Sequence, residues 1–570
     1  MDENKLSVIK GPLGFLIRMK KRVVFYFNRI IFLFVFMLFI SSFALALEFN
    51  KKWEVFVGSP TPLSYGDVDG DGKDEIVLGA GKSIQIISSD GTVLKSLSLQ
   101  KPVSRFAPIG LANLDKSDNE LELVAVIGDI FDKTTHLEVY KLNGKLLWKT
   151  SEIDNMYCRA APSIDDVDLD GYYELIFPCG RLVYGFNHDG TTLEGWPVDL
   201  FEVIKVQRAA ELEADGIEAF TRRHEISAVS ISPAIGELDL ADDNPEIVIA
   251  ASQYVFTLNH DAKLYWIGWD TNDNFGLGLG DINGDNVLEV VVTTFSGGEP
   301  AHNPIAYSHD GTFLWGVNYY SLSEGVSLGQ FDFDFTLDIL VKKYDFAGFD
   351  NLIFILNGED GKYLQGGQGK LNLYTPLIAD FDGDGIDEIV TTGNPAVPGD
   401  PSILILDDHV IEITSFGDSR ALTSSAPIIG DIDKNDKLEV IFVSADSKLY
   451  AYESNQERPL GKLSWPMYWH DARHTANYET PQEDKLRFIR GDVDGDGRIL
   501  INDPIFILSY LFLGGEQPNC FDAADIDDDG IIAINDPISL LAHLFLGGPA
   551  PPSPYPDAGF DPTDDMLSCN

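Results

Sequence analysis

The sequence predicts a mainly β protein, an eight-bladed β-propeller followed by a small α-helical module with two EF-hand-like calcium loops. Three observations predict it. An acidic motif recurs eight times between Asp67 and Glu439, mostly 44 to 53 residues apart with one longer gap. Short alternating apolar stretches between the copies are joined by Asp-Gly and Asn-Gly turns, as in antiparallel hairpins. The acidic spacing then returns twice in the last hundred residues, 33 residues apart, and there each copy runs into an apolar helix-forming segment.

The full copies are Asp67 to Glu75, Asp166 to Glu174, Asp281 to Glu289, Asp380 to Glu388 and Asp431 to Glu439. Weaker copies stand at Asn113 to Glu122, Glu237 to Glu246 and Gln330 to Asp338. A repeat of about 50 residues holding three or four short strands reads as a propeller blade. Eight copies predict eight blades, or seven if one weak copy builds none. A propeller must join its ends so that no sheet edge stays open. The strand around Lys52 to Phe56 and the segment Trp465 to His470 are therefore expected to meet in the closing blade. Residues 200–228, rich in helix formers such as Ala209, Glu211 and Ala219, form an insertion expected to be partly helical and to stand off the propeller. The propeller thus spans 50–478, a linker 479–487, and the C-terminal module with its tail 488–570.

Each full copy places oxygen-bearing side chains at positions 1, 3, 5 and 9 of a tight loop, with a backbone carbonyl on offer at position 7. Calcium takes six to eight oxygen ligands in relaxed geometry, and alternate loop positions aim them at one centre. Magnesium, which demands near-ideal octahedra, fits less well. The first ligand set is Asp67, Asp69, Asp71, Lys73 and Glu75, and the second Asp166, Asp168, Asp170, Tyr172 and Glu174. The third is Asp281, Asn283, Asp285, Val287 and Glu289; the fourth is Asp380, Asp382, Asp384, Ile386 and Glu388. Asp431, Asp433, Asn435, Lys437 and Glu439 make the fifth. Position 6 must turn sharply, and it holds Gly72, Gly171, Asn286, Gly385 or Asp436, residue types that enter the left-handed region comparatively easily.

The C-terminal loops have twelve positions. One offers Asp492, Asp494, Asp496, the Arg498 carbonyl and Asp503; the other offers Asp525, Asp527, Asp529, the Ile531 carbonyl and Asp536. The helices that follow run from Pro504 and Pro537 to Gly514 and Gly547, with an aspartate at the N-cap, proline at the first helical position and glycine past the end. The sequence therefore predicts about five calcium ions in the propeller and two in the module.

Residues 50–478 resemble the FG-GAP/VCBS repeats of integrin α-subunit propellers and bacterial surface proteins, through the acidic loop and the apolar strand after it. The resemblance implies a calcium-bound propeller and names no ligand. The loops at 113 and 237 are one residue longer than the pattern, and Phe335 stands at the turn position of the sixth copy. The duplicated loop and helix of 488–548 resemble a type I dockerin, which implies docking to a cohesin-like partner. Ile501-Asn502 and Ile534-Asn535 replace the Ser-Thr-like recognition pair of that family, and the tail Pro549 to Asn570 extends past its usual end.

Ninety acidic against 41 basic residues give a net charge of −49, which argues against nucleic acid and anionic membranes as partners. Lys20, Lys21, Arg22 and Arg29 precede an apolar run ending at Ala44 to Ala46, the pattern of a secretory signal over 1–46, with Met19 as an alternative start. Left uncleaved, the run is just long enough to anchor the chain. Export permits disulfides, and the four cysteines form two local pairs, Cys158 with Cys179 and Cys520 with Cys569.

The reading is therefore a secreted or cell-surface propeller that binds an extracellular glycan or protein and is tethered through its C-terminal module. The alternatives are a propeller-type polysaccharide lyase and a structural or adhesin domain. A lyase needs a base and a cation beside a sugar carboxylate. His188, His260 and His309 at blade turns, Arg222, Arg223 and His224 in the insertion, and His470, Asp471, Arg473 and His474 are its candidates. The turn histidines read better as turn chemistry.

Overall fold

The computed structural model describes residues 47–556 apart from internal stretches of at most ten residues, among them 296–303, 344–350, 393–402, 418–425 and 479–487. The signal segment 1–46 and Cys569 lie outside the described residues.

Eight antiparallel sheets, seven of four strands and one of five, follow one another along the chain. Blade 1 is representative: Ser64–Gly66 lies innermost, then Glu75–Gly79, Ser83–Ile87 and Val93–Ser98 outward. In every blade the acidic motif joins the innermost strand to its neighbour. The second strand is buried along its whole length in blade 1, so the apolar run after each motif is a central strand. The eighth blade takes three strands from Ile428–Gly430, Glu439–Val443 and Lys448–Ser454, and its outermost from Phe49–Phe56. The N-terminal strand closes the ring as expected, and the count is eight.

A repeated contact locks neighbouring blades. The indole N–H of Trp53, Trp148, Trp196, Trp266 and Trp315 donates to a turn carbonyl of the next blade, at Ser89, His188, His260, His309 and Gly358, over 2.8–3.0 Å. In four of these turns a glycine lies flat under the indole. Gly311 shows why: its φ is +81°, and a Cβ there would lie 2.6 Å from Trp266 Cδ2. The Gly311→Ala protein should lose roughly 2–5 kcal/mol, from left-handed strain and ring displacement together, read as a lower urea midpoint. An unchanged midpoint would mean that the indole gives way freely.

The segment Leu463 to Tyr478 departs from expectation: it does not join the closing blade. It runs across the innermost strands and takes up their free backbone groups. Ile378 and Trp465 exchange two hydrogen bonds at 3.0 and 3.1 Å, and Ile429 donates to Pro466 O at 2.8 Å. Ile164 and Ile235 donate to the carbonyls of Arg473 and Thr475, each at 3.0 Å, and Leu279 to that of Ala476 at 2.9 Å. Five blades are thus stitched to one segment. The innermost strand of a blade has a ladder partner on one side only, and its other edge leaves N–H groups that need an acceptor. Trp465 is 1 % exposed and His470 and His474 are fully buried. Trp469, His470, His474 and Ala476 all have positive φ, which lets the segment curl inside the ring. Burial pushes the Asp471 carboxyl up, but donors from His470, Arg473 and Thr475 outweigh it and hold the group at about 2.

The insertion is helical, over Leu200–Gln207, Ala209–Asp215 and Ile217–His224. It does not stand off the propeller. Leu200, Phe201, Ile204 and Phe220 are buried in one core with Trp196, Ile249 and Tyr254. Cys158 and Cys179 are bonded, with Cα atoms 4.8 Å apart, and Cys520 is also disulfide-bonded.

In the C-terminal module, helices Asn502–Leu513 and Asn535–Leu546 pack over Val493, Ile507, Ala524, Ile526 and Leu540. Asp503 and Asp536 fall inside the first helical turn rather than at the N-cap. Their carboxylates are committed to the loops instead.

Candidate metal centres

The eight propeller loops share one closing hydrogen bond. One carboxylate oxygen of the last acid accepts the N–H of position 2: Val68 to Glu75, Val167 to Glu174 and Ile282 to Glu289 at 3.1 Å, Phe381 to Glu388 at 2.8 Å, Ile432 to Glu439 at 2.9 Å. The weak copies keep it, with Leu114 to Glu122 at 2.7 Å, Leu238 to Glu246 at 2.8 Å and Phe331 to Asp338 at 3.3 Å. In the five full copies the first aspartate turns one oxygen back onto the N–H of position 6, at 2.7–3.0 Å. That residue has φ between +62° and +86° in each, as its type predicts. The other oxygen of the first aspartate also stays inside the loop, where it accepts the N–H groups of Gly70 and Asp71 in the first copy and of Gly284 and Asp285 in the third.

Ligand atoms of Asp67, Asp69 and Asp71, of Asp166, Asp168 and Glu174, of Asp281, Asp285 and Glu289, and of Asp380, Asp382 and Glu388 lie within 4.8 Å of one another in each group. That spacing suits a single ion. Asp166 Oδ1 is buried without a hydrogen-bond partner among the described residues, as a metal-directed oxygen would be. Glu75, Glu174 and Glu289 are pushed up to about 8, first by burial and then by the like charge of aspartates in the same loop. A divalent cation relieves both causes. Asp384 lies outside the described residues, as do Asp494, Asp496 and Asp529 of the C-terminal loops.

The two C-terminal loops close identically. Val493 and Ile526 donate to Asp503 and Asp536 at 2.8 Å, while Leu500 and Ala533 donate to the other oxygen of the same acids at 2.7 Å. Each last acid is thereby held across both ends of its loop. One residue that sequence reasoning missed joins the halves. Arg490, 1 % exposed, donates to the carbonyls of Asp522 and Asp525 at 3.0 and 2.7 Å and pairs with Asp528 at 2.8 Å.

The candidate lyase residues are not brought together. His188, His260 and His309 sit in separate blade turns and present their carbonyls to tryptophans. Arg222 and Arg223 are exposed, whereas His224 is buried at the Tyr254 hydroxyl. His470, Asp471, Arg473 and His474 belong to the axial segment, where His474 Nδ1 meets Pro162 O and Arg473 pairs with Asp165.

No family model matches the chain, and no curated protein matches it. Among solved structures it is similar to BBS1N in complex with ARL6DN, at 11% identity and TM-score 0.42, covering 72% of this chain and 99% of that one. The rhamnogalacturonan lyase YesW matches at 12% identity and TM-score 0.42, covering 76% and 94%. The biofilm matrix protein Bap1 of V. cholerae matches at 15% identity and TM-score 0.34, covering 71% and 79%. These likenesses are of fold alone.

Proposed function

We propose that the chain is an exported, calcium-stabilised propeller that binds an extracellular glycan or protein, and that its dockerin-like module, 488–548, docks it onto a partner. Calcium would lie among the acids of the loops at Asp67, Asp166, Asp281 and Asp380 and in the two C-terminal loops. There it would neutralise converging carboxylates and fix the strand or helix that follows.

The observation that carries the reading is in the C-terminal module. Ile501, Ile505 and Phe512 are 53%, 55% and 62% exposed, and Ile534, Ile538 and Phe545, 33 residues on, are 47%, 57% and 61% exposed. Large apolar side chains held in water at matching positions of the two loop–helix units are best explained by a partner that covers them. The FG-GAP/VCBS resemblance supports the binding role of the propeller.

The test is capture from native surface material by the full chain, with and without chelator. Calcium-dependent recovery of a glycan or protein is expected, and Phe512→Asp with Phe545→Asp should abolish the share held by the module. Unsaturated sugar products absorbing in the ultraviolet would establish the lyase instead. Recovery of nothing in either condition would leave a structural domain.

A further inference from the structure

The acidic loop of the closing blade already contains a cation. Lys52, from the N-terminal strand, places its ammonium 2.7 Å from Asp433 Oδ2, Glu439 Oε1 and Glu453 Oε1. Asp433 and Glu439 are positions 3 and 9 of that loop. The side chains of Lys52 and Glu439 are 19% and 3% exposed, so the contact is largely shielded from solvent. Blade 2 repeats the arrangement with a lysine from elsewhere. Lys141, which follows the strand Thr134–Tyr140, stands 2.8 Å from Asp115 Oδ2, 3.6 Å from Glu122 Oε1 and 3.1 Å from Ser117 Oγ.

A calcium ion must come within about 2.3–2.6 Å of its oxygens. It cannot do so at Asp433 and Glu439 while an ammonium nitrogen sits 2.7 Å from the same two atoms, both on steric grounds and by like-charge repulsion. Ammonium and metal are mutually exclusive there. The sequence carries a matching mark. Position 5 is aspartate in the loops at Asp67, Asp166, Asp281 and Asp380, but it is Asn435 in the closing blade and Ser117 in blade 2. A single positive charge needs fewer acids than a double one.

We infer that Lys52 and Lys141 are the resident cations of the eighth and second blades, a tethered ammonium standing where blades 1, 3, 5 and 7 take calcium. The comparison with those four blades rests on the calcium reading above. The consequence concerns closure. The blade that joins the two ends of the propeller is held by a charge that belongs to the chain, so it stays shut when calcium falls.

The test counts bound calcium in the full chain by equilibrium dialysis and metal emission. Lys52→Met, which keeps the apolar stem and removes the charge, should bind one ion more than the native chain. Asp433→Asn in the otherwise native chain should leave the count unchanged, and it serves as the test if Lys52→Met does not fold. Loss of one ion on Asp433→Asn, or an unchanged count on Lys52→Met, would overturn the inference. A native chain that binds no calcium would defeat the metal reading of the other blades, while a gain of one ion by Lys52→Met would still uphold the role of Lys52.

Discussion

Chelation should lower the melting temperature of the full chain by on the order of 10 °C relative to 10 mM calcium. Extracellular calcium modules bind at about 10⁻⁴ to 10⁻³ M, so each site contributes about 1.4–2.7 kcal/mol at that concentration by mass action. Four propeller loops together then contribute about 6–11 kcal/mol, and in a chain of this length each kilocalorie moves the midpoint by roughly a degree or two. The effect should grow with pH. Glu75, Glu174 and Glu289, ordinarily near 4.5, are raised to about 8 in the metal-free fold. A carboxyl raised on folding favours the fold below its unfolded value, and that stability is lost as pH climbs through the folded one. In chelator the midpoint should therefore fall between pH 6 and pH 9, while the calcium-loaded protein holds. Scanning calorimetry at both pH values decides the matter, and equal midpoints with and without chelator at pH 9 would end the calcium assignment.

The second large effect is expected at the axis. Trp465→Ala should cost about 3–5 kcal/mol, the range for deleting a fully buried aromatic side chain. The indole reaches the inner strand of blade 5, where a Cβ on Gly278 would lie 3.3 Å from it, while the backbone of Trp465 is bonded to blade 7. The loss should appear as a lower denaturant midpoint with an unchanged slope, because the ring opens as a unit. A loss below 1 kcal/mol would show that the segment only fills space and does not hold the blades.

Much of this was legible in the residues. The acidic loops and the Asp-Gly turns specify their own geometry within nine or ten positions, so the blades and the left-handed sixth position follow from spacing, with the count left at eight or seven. The loop-closing bond of the last acid appeared only in the structure. The Cys158–Cys179 bond lies within a stretch of 21 residues and is legible for the same reason. The turn histidines are a half-way case. Their place in the turn was legible, but that the turn carbonyl serves an indole one blade away was not.

What the sequence determined by itself is therefore what short-range hydrogen bonds hold: blades, turns, the closed acidic loops and the duplicated helices. Tertiary structure alone decided which distant groups complete them. Lys52 meets acids 381 and 387 residues later, Trp465 to Tyr478 crosses the inner strands, and the 200–224 helices lie down on the Trp196 and Tyr254 core. The physical reason is the same for each. Ring closure carries the ends of a long chain to one place, and the charges and free backbone groups left there are satisfied by whatever the closed ring brings within 3 Å.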